Sequence, residues 1–95
     1  MSLDDALAGI WERGSPAMRD RLAAIGRAAE GPLDDEAHAA AVRAAHQLAG
    51  SLGTFGIEGG SEAAAELEDE LRGARDPARV RALVDRVEAI LRPRL

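Results

Sequence analysis

Residues 37–52 read AHAAAVRAAHQLAGSL, from Ala37 to Leu52, and this stretch decides the fold. With His46 as zero and ~100° per residue, Ala37, Ala41, Ala44, Ala45, Leu48 and Leu52 fall within roughly 160–260°. One arc of small apolar side chains is the core face of a helix. His46 points away from that arc, into solvent. Its neighbours at three- and four-residue spacing are Val42, Arg43, Ala49 and Gly50, with Gly53 one turn further. The imidazole therefore stands beside a strip made almost bare by Ala49, Gly50 and Gly53.

Outward from this helix the punctuation is regular. Gly14-Ser15-Pro16, Gly31-Pro32-Leu33-Asp34, the glycines between Gly53 and Gly60, and Gly73 to Pro77 divide the chain into five segments. Ser15-Pro16 and Asp76-Pro77 each read as an N-cap followed by proline at the first helical position. Pro93 ends the last segment. Apolar residues recur at helical spacing in each: Leu3, Leu7, Ile10 and Trp11; Met18, Leu22, Ile25 and Ala29; the stretch above; Ala64, Leu67, Leu71 and Ala74; and Val80, Leu83, Val84, Val87, Ile90 and Leu91. The pattern predicts an all-α protein, an antiparallel up-down-up-down four-helix bundle with a short extra N-terminal helix, as one domain over residues 3–93. Trp11 is expected to be buried where the short helix meets the bundle.

Composition agrees and excludes much else. In 95 residues there are 21 alanines but only two aromatics, Trp11 and Phe55, which suits close-packed helices and not a β-sandwich or barrel. Twelve arginines, no lysine and 17 carboxylates give a net charge of −5. A scattered minority of cations is a poor phosphate-backbone footprint, so no nucleic-acid partner is expected. No cysteine is present, which removes disulfides, thiolate metal sites and cysteine nucleophiles. No apolar run approaches the ~20 residues needed to span a bilayer, and no membrane partner is expected. The acidic start at Asp4 and Asp5 is unlike a secretory leader, so the cytoplasm is the expected compartment; the chain is expected to be a monomer.

Each notable residue has a plain reading beside its functional one. His46 could be a solvated surface histidine. Glycine in mid-helix costs about 1 kcal/mol against alanine; Gly50 is explained equally by a close helix–helix contact or by clearance for a partner over His46. His38 and His46, eight residues apart, are too far along one straight helix to ligate one metal, so no metal site is expected and His38 reads as a surface residue. Glu62, Glu66, Glu68, Asp69 and Glu70 read as a solvated face with salt bridges to Arg72 and Arg75. The Ser51 hydroxyl is expected to bond a backbone carbonyl one turn back.

The run from Ala45, Ala-His-Gln-Leu-Ala-Gly-Ser-Leu-Gly-Thr-Phe-Gly, resembles the histidine phosphotransfer (HPt) domains of bacterial two-component phosphorelays. The matching positions are His46, Leu48, Gly50, Ser51 and Gly56; Ala65-Glu66-Leu67-Glu68 is similar to the family's next helix. The resemblance implies that His46 accepts a phosphoryl group from a receiver-domain aspartyl phosphate and passes it to another receiver aspartate. It implies receiver domains and a sensor histidine kinase as partners, Mg²⁺ on the receiver and no cofactor on this chain. Arg43, Gln47, Ala49, Gly50 and Gly53 would form the docking and phosphate surroundings. Many members carry lysine three residues after the histidine, where this chain has Ala49. Arg43, one turn before His46, could supply the charge or could be merely solvated. No phosphate-binding loop of the Gly-x-x-x-x-Gly-Lys-[Ser/Thr] type exists, so the chain is expected to be a carrier without kinase activity of its own. Two other readings stay open: an adaptor bundle that binds receivers or kinases without carrying phosphate, and the phospho-accepting module of a chemotaxis-type kinase.

Overall fold

The computed structural model describes residues 2–95. Four helices follow in order: α1 (Leu3–Glu30), α2 (Asp35–Thr54), α3 (Gly60–Arg72) and α4 (Pro77–Leu91), with one 3₁₀ turn at Arg92–Arg94. No strand occurs among the described residues. Three N-caps are side-chain acceptors as the cap chemistry requires: Ser2 takes the Asp5 N–H, Asp34 the Ala37 N–H, and Asp76 the Ala78 N–H with Pro77 opening α4.

The helices alternate in direction. Arg21 reaches Ser51 while Trp11 meets Phe55, so α1 and α2 run antiparallel. Ser61 bonds Ala49 and Glu68 meets His46 across α2 and α3. Glu70 pairs with Arg79 and Glu66 with Arg86 across α3 and α4. Arg81 bonds the Ala29 carbonyl, closing α4 onto α1. The expected four-helix bundle is therefore present.

The break expected at Gly14-Ser15-Pro16 is not. The short leading segment forms the first three turns of α1, which runs 28 residues with Pro16 inside it. Proline removes one N–H, leaving the Glu12 carbonyl without its helical donor, at a cost of about 3 kcal/mol or more in a helix interior. The Ser15 hydroxyl donates to that same carbonyl at 3.1 Å. Packing on both sides of the proline holds the helix through. Before it, Trp11 lies edge-on to Phe55, centroids 4.9 Å apart, and its indole N–H donates to the Arg94 carbonyl. Such an aromatic pair contributes about 0.5–1.5 kcal/mol beyond area burial. After it, Met18, Leu22 and Ile25 are buried in the core. Trp11, expected to be buried, is half-buried.

The core is built from α2's Ala41, Ala44, Ala45, Leu48 and Leu52 against Ala63, Ala64, Leu67 and Leu71 of α3 and the valines and leucines of α4. Ala37 sits half-buried at the helix start, and Ala74 lies beyond the end of α3, exposed. Alanines on both sides let α2 and α3 approach closely, and of the glycines Gly60 has the least room for a side chain. A Cβ there would lie 2.9 Å from Cδ1 of Leu52, which is itself fully buried. The close-contact glycine of this bundle is thus Gly60.

Candidate functional site

The core face of α2 fixes what lies opposite it. With Ala45 and Leu48 buried, His46 is carried outward, its side chain 72% exposed. Its Nδ1 lies 3.1 Å from Oε1 of Glu68 on α3. An ionised carboxylate can only accept, so Nδ1 is the protonated nitrogen and Nε2 carries the free lone pair. The other Glu68 oxygen, Oε2, accepts from Nε of Arg72 at 2.9 Å. Burial alone would raise the Glu68 pKa. The hydrogen bonds from His46 and Arg72, and their charge, outweigh it and hold the carboxyl below its ordinary value of 4.5.

The remaining expected site residues divide. Gly50 is exposed, and a Cβ added there would meet nothing within 4 Å. No helix packs against it, so the close-contact explanation for this glycine is removed. Gly53 is exposed but backs onto α3, where a Cβ would meet Ser61 Oγ at 3.4 Å. Ala49 is half-buried against the core, and its carbonyl accepts the Ser61 hydroxyl at 2.8 Å. The bare strip thus narrows to Gly50. Arg43 and Gln47 are exposed on the outer side of α2, and Arg43 enters none of the ion pairs among the described residues.

Three other expectations change. The Ser51 oxygen accepts from Arg21 at 3.3 Å; the hydroxyl that bonds one turn back is that of Thr54, to the Gly50 carbonyl. The α3 carboxylates pair with Arg72 as expected, but their other partners are Arg79 and Arg86 of α4, in place of Arg75. His38 is half-buried near the start of α2, in a cleft lined also by Leu33, Leu71 and Val80.

The residue missing from the sequence reading is Glu68, taken there as one of a solvated row. A signal for it existed. His46 lies eight residues before the end of α2 at Thr54, and Glu68 eight after the start of α3 at Gly60. Equal distances from a helical hairpin's turn place two residues side by side.

A family model described as Hpt domain matches residues 15–92. The chain belongs to the Hpt domain family, whose members carry phosphoryl groups in phosphorelays and interact with receiver domains and kinases. The match leaves the first turns of α1, before Ser15, outside it. No curated protein and no solved structure matched the chain in the same comparisons. No helix among the described residues is long and apolar enough to cross a membrane.

Proposed function

We propose that this chain is a phosphorelay carrier in which His46 accepts a phosphoryl group from a receiver aspartyl phosphate and returns it to another receiver aspartate. The observation that carries this reading is the exposed His46 ring whose Nδ1 faces the Glu68 carboxylate, leaving Nε2 open beside the clear surface at Gly50.

The chemistry asks little of the carrier. The Nε2 lone pair attacks phosphorus, an N–P bond forms, and the P–O bond to the aspartyl carboxylate breaks, releasing the carboxylate. The proton on Nδ1 stays, so the phosphorylated ring gains positive charge. Glu68 accepts from that N–H and opposes the charge as it develops. The phosphoramidate remains energy-rich, and the same path runs backward to a second aspartate. The receiver would bring the aspartate, Mg²⁺ and most of the stabilisation of the phosphoryl oxygens. Arg43 would add a cation on the near side of α2, where the chain lacks the lysine common in the family. The setting of this exchange would be the cytoplasm, with the carrier a monomer.

The test incubates the protein with receiver domains phosphorylated on aspartate and, separately, with a histidine-kinase catalytic domain and ATP. Acid-labile, base-stable label from the receiver that is lost in His46→Gln is the expected result. Label from the kinase domain alone favours the kinase-module reading. Label from neither leaves an adaptor and overturns the proposal.

A further inference from the structure

We propose that Arg72 is a positioning residue for His46: it holds the Glu68 carboxylate in the orientation that accepts a hydrogen bond from Nδ1–H, and so keeps Nε2 unprotonated for attack. This deepens the reading of His46 as the phospho-acceptor and rests on it.

The geometry divides one carboxylate between two partners. Oε1 faces Nδ1 of His46 at 3.1 Å, and Oε2 faces Nε of Arg72 at 2.9 Å. Both partners are open to solvent, their side chains 72% and 61% exposed, whereas Glu68 is only 15% exposed. The enclosed link is the carboxylate, and two open side chains grip it from opposite sides. Arg72 stands four residues after Glu68, in the last turn of α3, where one helical turn brings the guanidinium over the carboxylate. Of the other acids on this helix, Glu66 faces Arg86 and Glu70 faces Arg79, while Asp69, three residues before Arg72, enters no ion pair among the described residues. Arg72 nevertheless reaches past Asp69 to Glu68, the one carboxylate it pairs with among the described residues, and that carboxylate has one ring to orient.

The consequence falls on the tautomer. An unrestrained neutral imidazole favours its proton on Nε2, the nitrogen that must be free for transfer. A fixed acceptor at Nδ1 reverses that preference. A glutamate with three free torsions would share its time among several orientations. Clamping the second oxygen concentrates it in the one that faces the ring. An exposed pair four residues apart on a helix is a weak clamp, so the expected effect is modest and readable without loss of the fold.

The experiment reads the imidazole nitrogens of unphosphorylated protein by ¹⁵N NMR at about pH 8.5, above the ordinary histidine range. His38 serves as the internal comparison. The unaltered protein is expected to hold His46 mainly as the Nδ1–H tautomer. Arg72→Ala should shift the ratio toward Nε2–H by about two- to threefold, with the melting temperature nearly unchanged. Arg72→Lys should reverse most of that shift, and Glu68→Ala should exceed it. Transfer from a phosphorylated receiver should fall in the same order. An unchanged ratio in Arg72→Ala beside a shifted one in Glu68→Ala would overturn the role of Arg72. An unchanged ratio in both would overturn the orienting bond itself. Because the ratio is read without phosphate, its outcome is separate from whether His46 takes label.

Discussion

Glu68 and Glu70 are the same residue type two positions apart on α3, and their side chains are nearly equally enclosed, 15% and 11% exposed. About 200° of helix separates them. Glu70 turns to the α3–α4 connection. Its Oε2 accepts the Asp76 N–H, its Oε1 faces Nε of Arg79 at 3.0 Å, and its backbone carbonyl accepts from Arg75, the one non-glycine residue of positive φ among those described. Glu68 turns to α2 and holds a ring. One carboxylate fastens backbone that would otherwise splay. The other holds a side chain that remains mostly in water with a second nitrogen open. The carboxylates do not differ; their partners do, and on the proposed reading the partner with a spare reactive atom marks the functional side.

The largest expected effect breaks the Glu68 side at its end. His46→Gln should abolish phosphoryl acceptance while leaving the melting temperature within about 2–4 °C, because exposed substitutions usually change stability by less than about 0.5 kcal/mol. Labelling assays beside thermal melts check it. Retained label in the variant would move the acceptor elsewhere.

The same contrast between fastening and leaving open extends to two glycines. Gly60→Ala must displace the buried Leu52 side chain, and overpacking costs about 1–3 kcal/mol. The melting temperature should fall by roughly 4–8 °C per kcal/mol. Gly50→Ala meets nothing, and should be neutral or stabilising by up to about 1 kcal/mol. A bulkier Gly50→Gln should also melt normally, yet lower receiver affinity and transfer together. A large drop in melting temperature for Gly50→Gln would contradict the open surface.

Exchanging the two glutamates sharpens the comparison directly. Glu70→Ala should lose about 1 kcal/mol of stability through the unfastened turn, with transfer unchanged. Glu68→Ala should lose less stability but slow transfer by about fivefold, the equivalent of about 1 kcal/mol at the barrier. Equal losses of transfer in both variants would mean that the bundle as a whole, and not the ring's partner, had been disturbed. Arg43→Ala belongs at the smaller end. An exposed cation ~6 Å from the phosphoryl group contributes about 1 kcal/mol in a nearly water-like dielectric, so a few-fold slower transfer or shorter phosphohistidine lifetime is expected. No change in either would return Arg43 to the solvated surface.

Much of this was legible in the residues, and what was not has a physical reason. The core face of α2 is the arc of alanines and leucines that its period predicts, because burial needs only one helix to be read correctly. The cap at Asp76 was legible for the same local reason. Pro16 was misread because its local signal is that of a helix start, whereas Trp11 and Met18, on either side, are held by residues distant in sequence. Glu68 was missed because its meaning is pairwise. On α3 alone it is one acid among five. Only the hairpin, counted from both sides of its turn, sets it beside His46. Gly50 and Gly60 could not be told apart by propensity, since both cost the helix something and only the neighbour across the gap says which one is needed.

The smallest effect lies in acid. Glu68 is ionised more readily in the folded protein than its ordinary value of 4.5, since the hydrogen bonds and charge of His46 and Arg72 outweigh the burial that opposes it. A lowered folded-state pKa means that the unfolded chain binds its proton first as pH falls. The group's contribution to stability is therefore fully present above the unfolded value. It fades as pH drops through the folded one. Glu68→Gln keeps the shape of the side chain and removes the titration. Near about pH 5.5, between the ordinary carboxylate and histidine ranges, the difference in stability between the unaltered protein and this variant should be at its full value. Below 4.5 it should shrink toward the value set by shape alone. Chemical denaturation at a series of pH values measures it. The sign is the test: a difference that grows on acidification would mean that Glu68 is held protonated in the fold, and a protonated carboxyl could donate to Nδ1 and leave the ring proton on Nε2, the nitrogen that must be free for transfer.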